Sequence, residues 1–216
     1  MASHTPVELL TSILTVTEEK IVPLTAKGVS SGSKLFGAAI ISRDDLKVHT
    51  VATNNERVSP LLHGEINCIQ TFFASPAEGR PQTKDCVFFA THEPCSLCLS
   101  GITWAGFKEF YYLFTYEDSR DLFGIPYDID ILQEVFRVPA PSDTPETLEQ
   151  RPLYNRTNKF FKSKSLSDLV AEISDPEQRK EWAEKVEKAK EVYNSLSATY
   201  QDHKASGTME TNSVWQ

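Results

Sequence analysis

Two short runs, His63-Gly64-Glu65 and Pro94-Cys95-Ser96-Leu97-Cys98, limit what this chain can fold into more than anything else in its 216 residues. Together they offer one imidazole, two thiols and a carboxylate. Zinc takes nitrogen and sulfur donors in a tetrahedron, and a zinc that works on a substrate keeps one of its four positions open for water. His63, Cys95 and Cys98 make three ligands and leave that vacancy. Cys95 and Cys98 stand as C-x-x-C, so a helix starting at the first cysteine holds both sulfurs near its N-terminus, where the backbone dipole favours thiolate. Glu65, two residues after His63, can start a helix of its own and face the same point without binding the metal. That is the place for a proton shuttle.

Simpler explanations account for these residues less well. A lone C-x-x-C is often a redox pair or half of a structural zinc site. A redox pair has no need of Pro94, nor of a histidine and an acid thirty-two residues upstream. A four-thiolate structural site needs a second cysteine pair. The remaining cysteines, Cys68 and Cys86, are too far apart for one and are expected to fill core space as small apolar side chains.

The fold must therefore bring two helix starts together, and the hydrophobic pattern supplies the elements. Apolar residues from Pro6 to about Lys27 recur at threes and fours, predicting a first amphipathic helix with a possible break before Pro23. Leu35 to Ile41 is a short apolar run expected as a buried strand. Arg43-Asp44-Asp45 turns it into a partner strand over Leu46 to Ala52. Helical spacing follows from His63 to Ala74, a strand over Cys86 to Ala90, a helix from Cys95 closed near Gly106, and a strand over Glu109 to Phe114. Strand and helix alternation in the second half implies parallel pairing with helices on both faces. The expected architecture is an α/β fold, a three-layer α/β/α sandwich with a mixed sheet, plus a C-terminal helical extension. Its expected divisions are a metal-binding domain over 1–138, a linker over 139–164, helices over 165–201 and a disordered tail over 202–216.

The residues Phe36-Gly37-Ala38, Asn54-Asn55, His63-Gly64-Glu65, Thr91-x-Glu93-Pro94-Cys95-Ser96-Leu97-Cys98 and Ile102-x-Trp104-Ala105 resemble the cytidine deaminase superfamily. They are nearest to its branch of guanine deaminases, fungal cytosine deaminases and tRNA adenosine deaminases. H-x-E followed by P-C-x-x-C is the zinc signature of nucleobase deaminases, and the likeness extends over residues 5 to 137. The resemblance implies Zn2+ held by His63, Cys95 and Cys98, Glu65 as the proton shuttle, and Asn54 as a donor to the substrate base. Asn54 stands closer to His63 than the family's usual spacing, so Asn55 is the alternative. Phe36 could stack on the base or simply belong to the core. Gly64 resembles the cytosine deaminase form and Trp104-Ala105 the guanine deaminase form, so the substrate is left open between them. The resemblance also implies a pocket closed by the segment after the last strand. That segment is dense in Tyr, Phe and Asp (Tyr116, Asp118, Asp121, Phe123, Tyr127, Asp128), and an acid there could accept from a ring N–H or amino group. Asp118 and Asp121 read more simply as solvated loop acids. His92, inside the motif, is not expected to bind the metal, because a fourth ligand would close the position that chemistry needs.

The formal net charge of −8 argues against a broad basic surface for nucleic acid. No run reaches the ~18 apolar residues of a membrane span. The N-terminus lacks the early basic residues of a secretory signal. A reducing, cytoplasmic setting suits two cysteines wanted as thiolates. The expected substrate is a small nucleobase-like heterocycle of guanine or cytosine type, acted on by a homodimer. Deamination of adenosine in tRNA or other RNA, and a non-catalytic partner subunit of the same fold, are the alternatives. Glu65 speaks against the partner, which has no chemical need of that carboxylate. The long helix beyond Asp175 either lies back on the core or packs on another chain.

Overall fold

The computed structural model describes residues 4–207 and 211–213. A five-stranded sheet runs in the order β2-β1-β3-β4-β5, with β1 Gly37–Ser42, β2 Val48–Thr53, β3 Cys86–His92, β4 Glu109–Phe114 and β5 Lys162–Ser165. β1 is antiparallel to both β2 and β3, while β3, β4 and β5 are parallel. The sheet is mixed, as the strand and helix alternation implied.

Side chains alternate across this sheet and build two cores. Ala39, Ile41, Val87, Phe89, Tyr111 and Leu113 face one layer of helices. That layer comprises α1 (Pro6–Val16), α2 (Val22–Val29), α8 (Leu166–Ala171) and α9 (Pro176–Ser206). Ala38, Ile40, Phe88, Ala90, Phe110 and Tyr112 face the other layer, formed by α3 (Gly64–Ala74) and α4 (Ser96–Ala105). Because both faces are covered, β3 and β4 read as continuous apolar runs instead of alternating. This is the three-layer sandwich.

The first helix does not break before Pro23. A wide turn over Thr17–Ile21, with Val22 N donating to Thr17 O, carries α1 into α2 and places Pro23 in the first turn of the new segment. There its missing N–H costs little. Four elements were not foreseen. The segment after β4, expected as an aromatic loop, is helical over α5 (Tyr116–Phe123) and α6 (Tyr127–Ile131). Residues 139–164, expected as a linker, contain α7 (Pro145–Glu149) and deliver β5 to the edge of the sheet. β5 is Lys-Ser-Lys-Ser, and its buried side chains are serines, so it carries no apolar alternation. Lysines are common on exposed strand edges because they discourage further pairing. The helices over 165–201 lie on the sheet: Trp182, Val186, Tyr193 and Tyr200 of α9 belong to the same core as β1 and β3. Of the expected tail, α9 itself reaches Ser206, and Asn212 and Ser213 are bonded to the body of the molecule. Residues 208–210 and 214–216 lie outside the described residues.

Candidate metal centre

β2 and β3 end, and β1 begins, at one edge of the sheet, since Gly37 pairs with Thr53 and Ala38 with Ala90. The two helices that carry the motif start at this edge. His63 is the N-cap of α3 and Cys95 the N-cap of α4, with Cys98 in the first turn of α4. The approach of α3 is close enough to require a glycine. A Cβ on Gly64 would stand 2.9 Å from both Gly37 Cα and Phe36 O, backbone atoms that cannot move aside. At the far end of α4, Gly106 closes the helix with φ of 86°, in the left-handed region that suits glycine.

His63 Nδ1 lies 3.5 Å from Cys95 Sγ and 3.7 Å from Cys98 Sγ, and the three donor atoms all fall within 4.8 Å of one another. Bonds of ~2.0–2.3 Å in a tetrahedron place ligand atoms about 3.6 Å apart. The donor set therefore fits zinc in both chemistry and separation. A hydrogen bond from Cys98, together with His63, holds the Cys95 thiol well below its ordinary range despite burial. Cys98 is pushed up by burial and by its hydrogen bond to Cys95. Burial opposes the charged form of His63, yet its bond to Cys95 raises it to about 9.

Glu65 is 4% exposed. Burial, then the charge on Cys95, pushes its carboxyl up to about 7. Asn54 is also buried, and its Oδ1 accepts from Gly64 N at 2.7 Å. Its Nδ2 is buried with no hydrogen-bond partner among the described residues. Asn55 is only partly buried, and its backbone N donates to Leu62 O. Of the two asparagines, Asn54 is the one held against the start of α3 with a donor to spare.

A cavity of about 320 Å³ opens beside the three donors, lined among others by Phe36, His63, Cys95, Tyr127, Asp128 and Ile131. Phe36 lines this cavity and packs on the His92 ring at 3.9 Å. His92 lies buried among Phe36, Phe114, Phe123 and Tyr193, away from the metal donors. Burial keeps it neutral by holding its pKa well below the usual range. The acids of the aromatic segment separate by role. Asp118 caps α5 by accepting from Thr115 N and pairs with Lys190, and Asp121 pairs with Arg120 in solvent. Asp128 is the one in the cavity. Burial, then the Cys95 thiolate, raises it to about 8.

Two features of the pocket rim were not read from the sequence. Lys34 lines the cavity and its Nζ donates to Glu56 Oε1 at 2.7 Å, while Glu56 Oε2 accepts from Lys34 N at 2.8 Å. Both residues are buried. Ser213 Oγ lies 2.9 Å from the same Nζ and also lines the cavity. A lysine and a glutamate twenty-two residues apart give no periodic signal that they meet.

Residues 19–114 match the model for the cytidine and deoxycytidylate deaminase zinc-binding region. Over these residues the chain is similar to the cytidine deaminase superfamily. Among curated proteins, this chain is 30% identical over 107 residues to the guanine deaminase of Bacillus subtilis, covering 48% of this chain and 65% of that protein. It is 35% identical over 85 residues to the cytosine deaminase of Candida albicans, covering 38% of this chain and 53% of that one. The chain thus spans less than two thirds of either relative. A solved structure of the B. subtilis guanine deaminase aligns at 28% identity with a TM-score of 0.45, over 64% of this chain and 82% of that one. His63, Cys95 and Cys98, the metal-donor cluster found among the described residues, all lie within the matched zinc-binding region. No helix among them is long and apolar enough to cross a membrane.

Proposed function

We propose that this chain is a zinc-dependent hydrolytic deaminase that converts the amino group of a small nucleobase-like heterocycle, of guanine or cytosine type, to a carbonyl with release of ammonia. The observation that carries the reading is a buried carboxylate, Glu65, set against the His63, Cys95 and Cys98 donors beside a cavity of single-base scale. A cavity of about 320 Å³ is at the small end of ligand sites.

Zinc at these donors would supply a Lewis acid that makes hydroxide available near neutral pH. Glu65 would take the proton released from water, deliver it to the ring nitrogen beside the amino-bearing carbon, and move a proton to the departing nitrogen. Water adds at that carbon, the C–N bond breaks, and the products are a carbonyl and ammonia. Asn54 Nδ2, buried and without a partner among the described residues, would donate to an acceptor on the ring. Asp128 would accept from a ring N–H or amino group, and Phe36 would pack on the ring face. An oxygen or nitrogen left unpaired at such a site costs binding, so these polar groups select for heterocycles that satisfy them. The same reading includes a homodimer, supported by the exposed Trp104 of α4.

The test is ammonia release from guanine, cytosine and related amino-heterocycles, with single-stranded RNA and tRNA as the contrasting substrates. Glu65→Ala is expected to lower turnover by about 10²–10⁴-fold or more while zinc content stays near one per chain. Cys95→Ala is expected to lose the zinc. Turnover of the polynucleotides alone, collapsing between about 50 and 200 mM salt, would replace this reading with an editing enzyme.

A further inference from the structure

On the other side of α6 from the zinc cavity lies a larger one, of about 760 Å³. Arg120, Arg137, Arg151 and Arg156 line it. The chain has eight arginines, so half of them converge on one cavity of a protein whose net charge is −8. Only three carboxylates, Glu93, Glu117 and Glu149, line it with them. Glu93 is already committed: its Oε1 accepts from Tyr154 OH at 2.8 Å and Arg156 Nη2 at 3.4 Å, and its Oε2 from Tyr116 N at 3.2 Å. Arg120 pairs with Asp121 and Arg151 with Asp143. Arg137 donates to a carbonyl, Arg151 O, and among the described residues it has no carboxylate partner. Its guanidinium is held in place by a neutral group with its charge unmatched.

We propose that this cavity is a second ligand site, for a small phosphate-bearing molecule of nucleotide scale. A guanidinium offers paired N–H donors in a plane that matches phosphate oxygens, and several such forks around one anion give both charge and geometry. The remaining wall suits the rest of such a ligand. Tyr116, Tyr154, Ile129 and Leu153 give aromatic and aliphatic surface, and the volume lies in the range of small-molecule sites.

The site shares two walls with the zinc centre. α6 places Ile129 in the arginine cavity and Asp128 in the zinc cavity. Glu93 stands two residues before Cys95, and Tyr116, which lines the arginine cavity, donates its OH to Pro94 O at 2.5 Å. A bound anion competes with Glu93 for Arg156 directly behind the zinc loop.

The experiment is calorimetric titration of the full chain at constant ionic strength with inorganic phosphate, guanosine 5′-monophosphate, citrate and a single-stranded RNA. It is run on zinc-loaded and zinc-stripped protein, so the result does not depend on turnover or on the deaminase reading. Saturable binding of phosphate and the nucleotide is expected, weakened about tenfold or more in Arg137→Gln and not restored in Arg137→Lys, which keeps charge but loses the fork. Arg120→Gln, on an exposed side chain, is the second variant and is expected to weaken binding in the same direction. Absence of saturable binding by both phosphate probes would overturn the proposal. So would phosphate binding unchanged in both variants, binding of citrate alone, or binding of RNA alone.

Discussion

Gly64 is the smallest residue of the metal centre and the one with least room for change. Its neighbours His63 and Glu65 reach the site only because the start of α3 touches the backbone of Phe36 and Gly37. Gly64→Ala is therefore expected to push α3 outward, separate His63 from the two sulfurs and weaken zinc retention at least tenfold in a chelator competition assay. Overpacking of this kind costs about 1–3 kcal/mol, so the variant should remain folded with a lowered melting temperature. Unchanged zinc retention would mean that the strand, not α3, gives way. The clustering of His63, Cys95 and Cys98 was legible because each half of the motif has a fixed short spacing. Asp128 was only partly so. The sequence marked a cluster of acids after β4, but which one enters the cavity depends on the helical phase of α6, which five residues are too short to reveal. The Lys34–Glu56 pair was not legible at all, since it joins two loops brought together by the pairing of β1 and β2.

At the scale of elements, periodicity worked where an element has one partner face and failed where it has none or several. α3 and α4 were found from their starts, because a motif residue caps each of them. α5 has a capping box from Thr115 to Asp118, a signal present in the sequence and passed over in favour of a loop rich in acids. β5 has no apolar signal, and its existence follows from the open edge of β4, which is a tertiary fact. The position of α9 could not be chosen from its pattern. Tyr193 settles it by packing on Phe114 at 5.2 Å and on His92 at 5.9 Å between ring centres. Tyr193→Ala removes the side chain that closes this layer over the sheet. The expected loss is about 3–5 kcal/mol in urea unfolding, the usual range for deleting a large buried aromatic. A loss below about 1 kcal/mol would show that α9 is an appendage and not part of the core.

For the whole molecule, the two helical layers follow from the covered faces, which were visible as apolar runs in β3 and β4, whereas the strand order was not. The surface was less visible. Trp104 is 91% exposed on α4, and Phe160 lies across the same shallow groove. A large aromatic left in solvent beside other apolar surface marks a contact face. In the homodimer proposed for this chain, that face is the expected seat of the second copy. Sedimentation of the purified protein should give a dimer that Trp104→Ala converts largely to monomer at micromolar concentration. A wild-type monomer, or a dimer indifferent to Trp104, would place the contact elsewhere.

The layout of α9 bears on how such a protein is made. All the metal donors have left the ribosome once Cys98 has emerged, whereas Tyr200, which helps cover the opposite face of the sheet, is still unmade. Through that interval this face of the sheet has only α1 and α2 to cover it, leaving apolar surface of the kind on which half-made chains aggregate. Synthesis runs from the chemistry toward its protection, so the interval between Cys98 and Tyr200 is the chain's most vulnerable period.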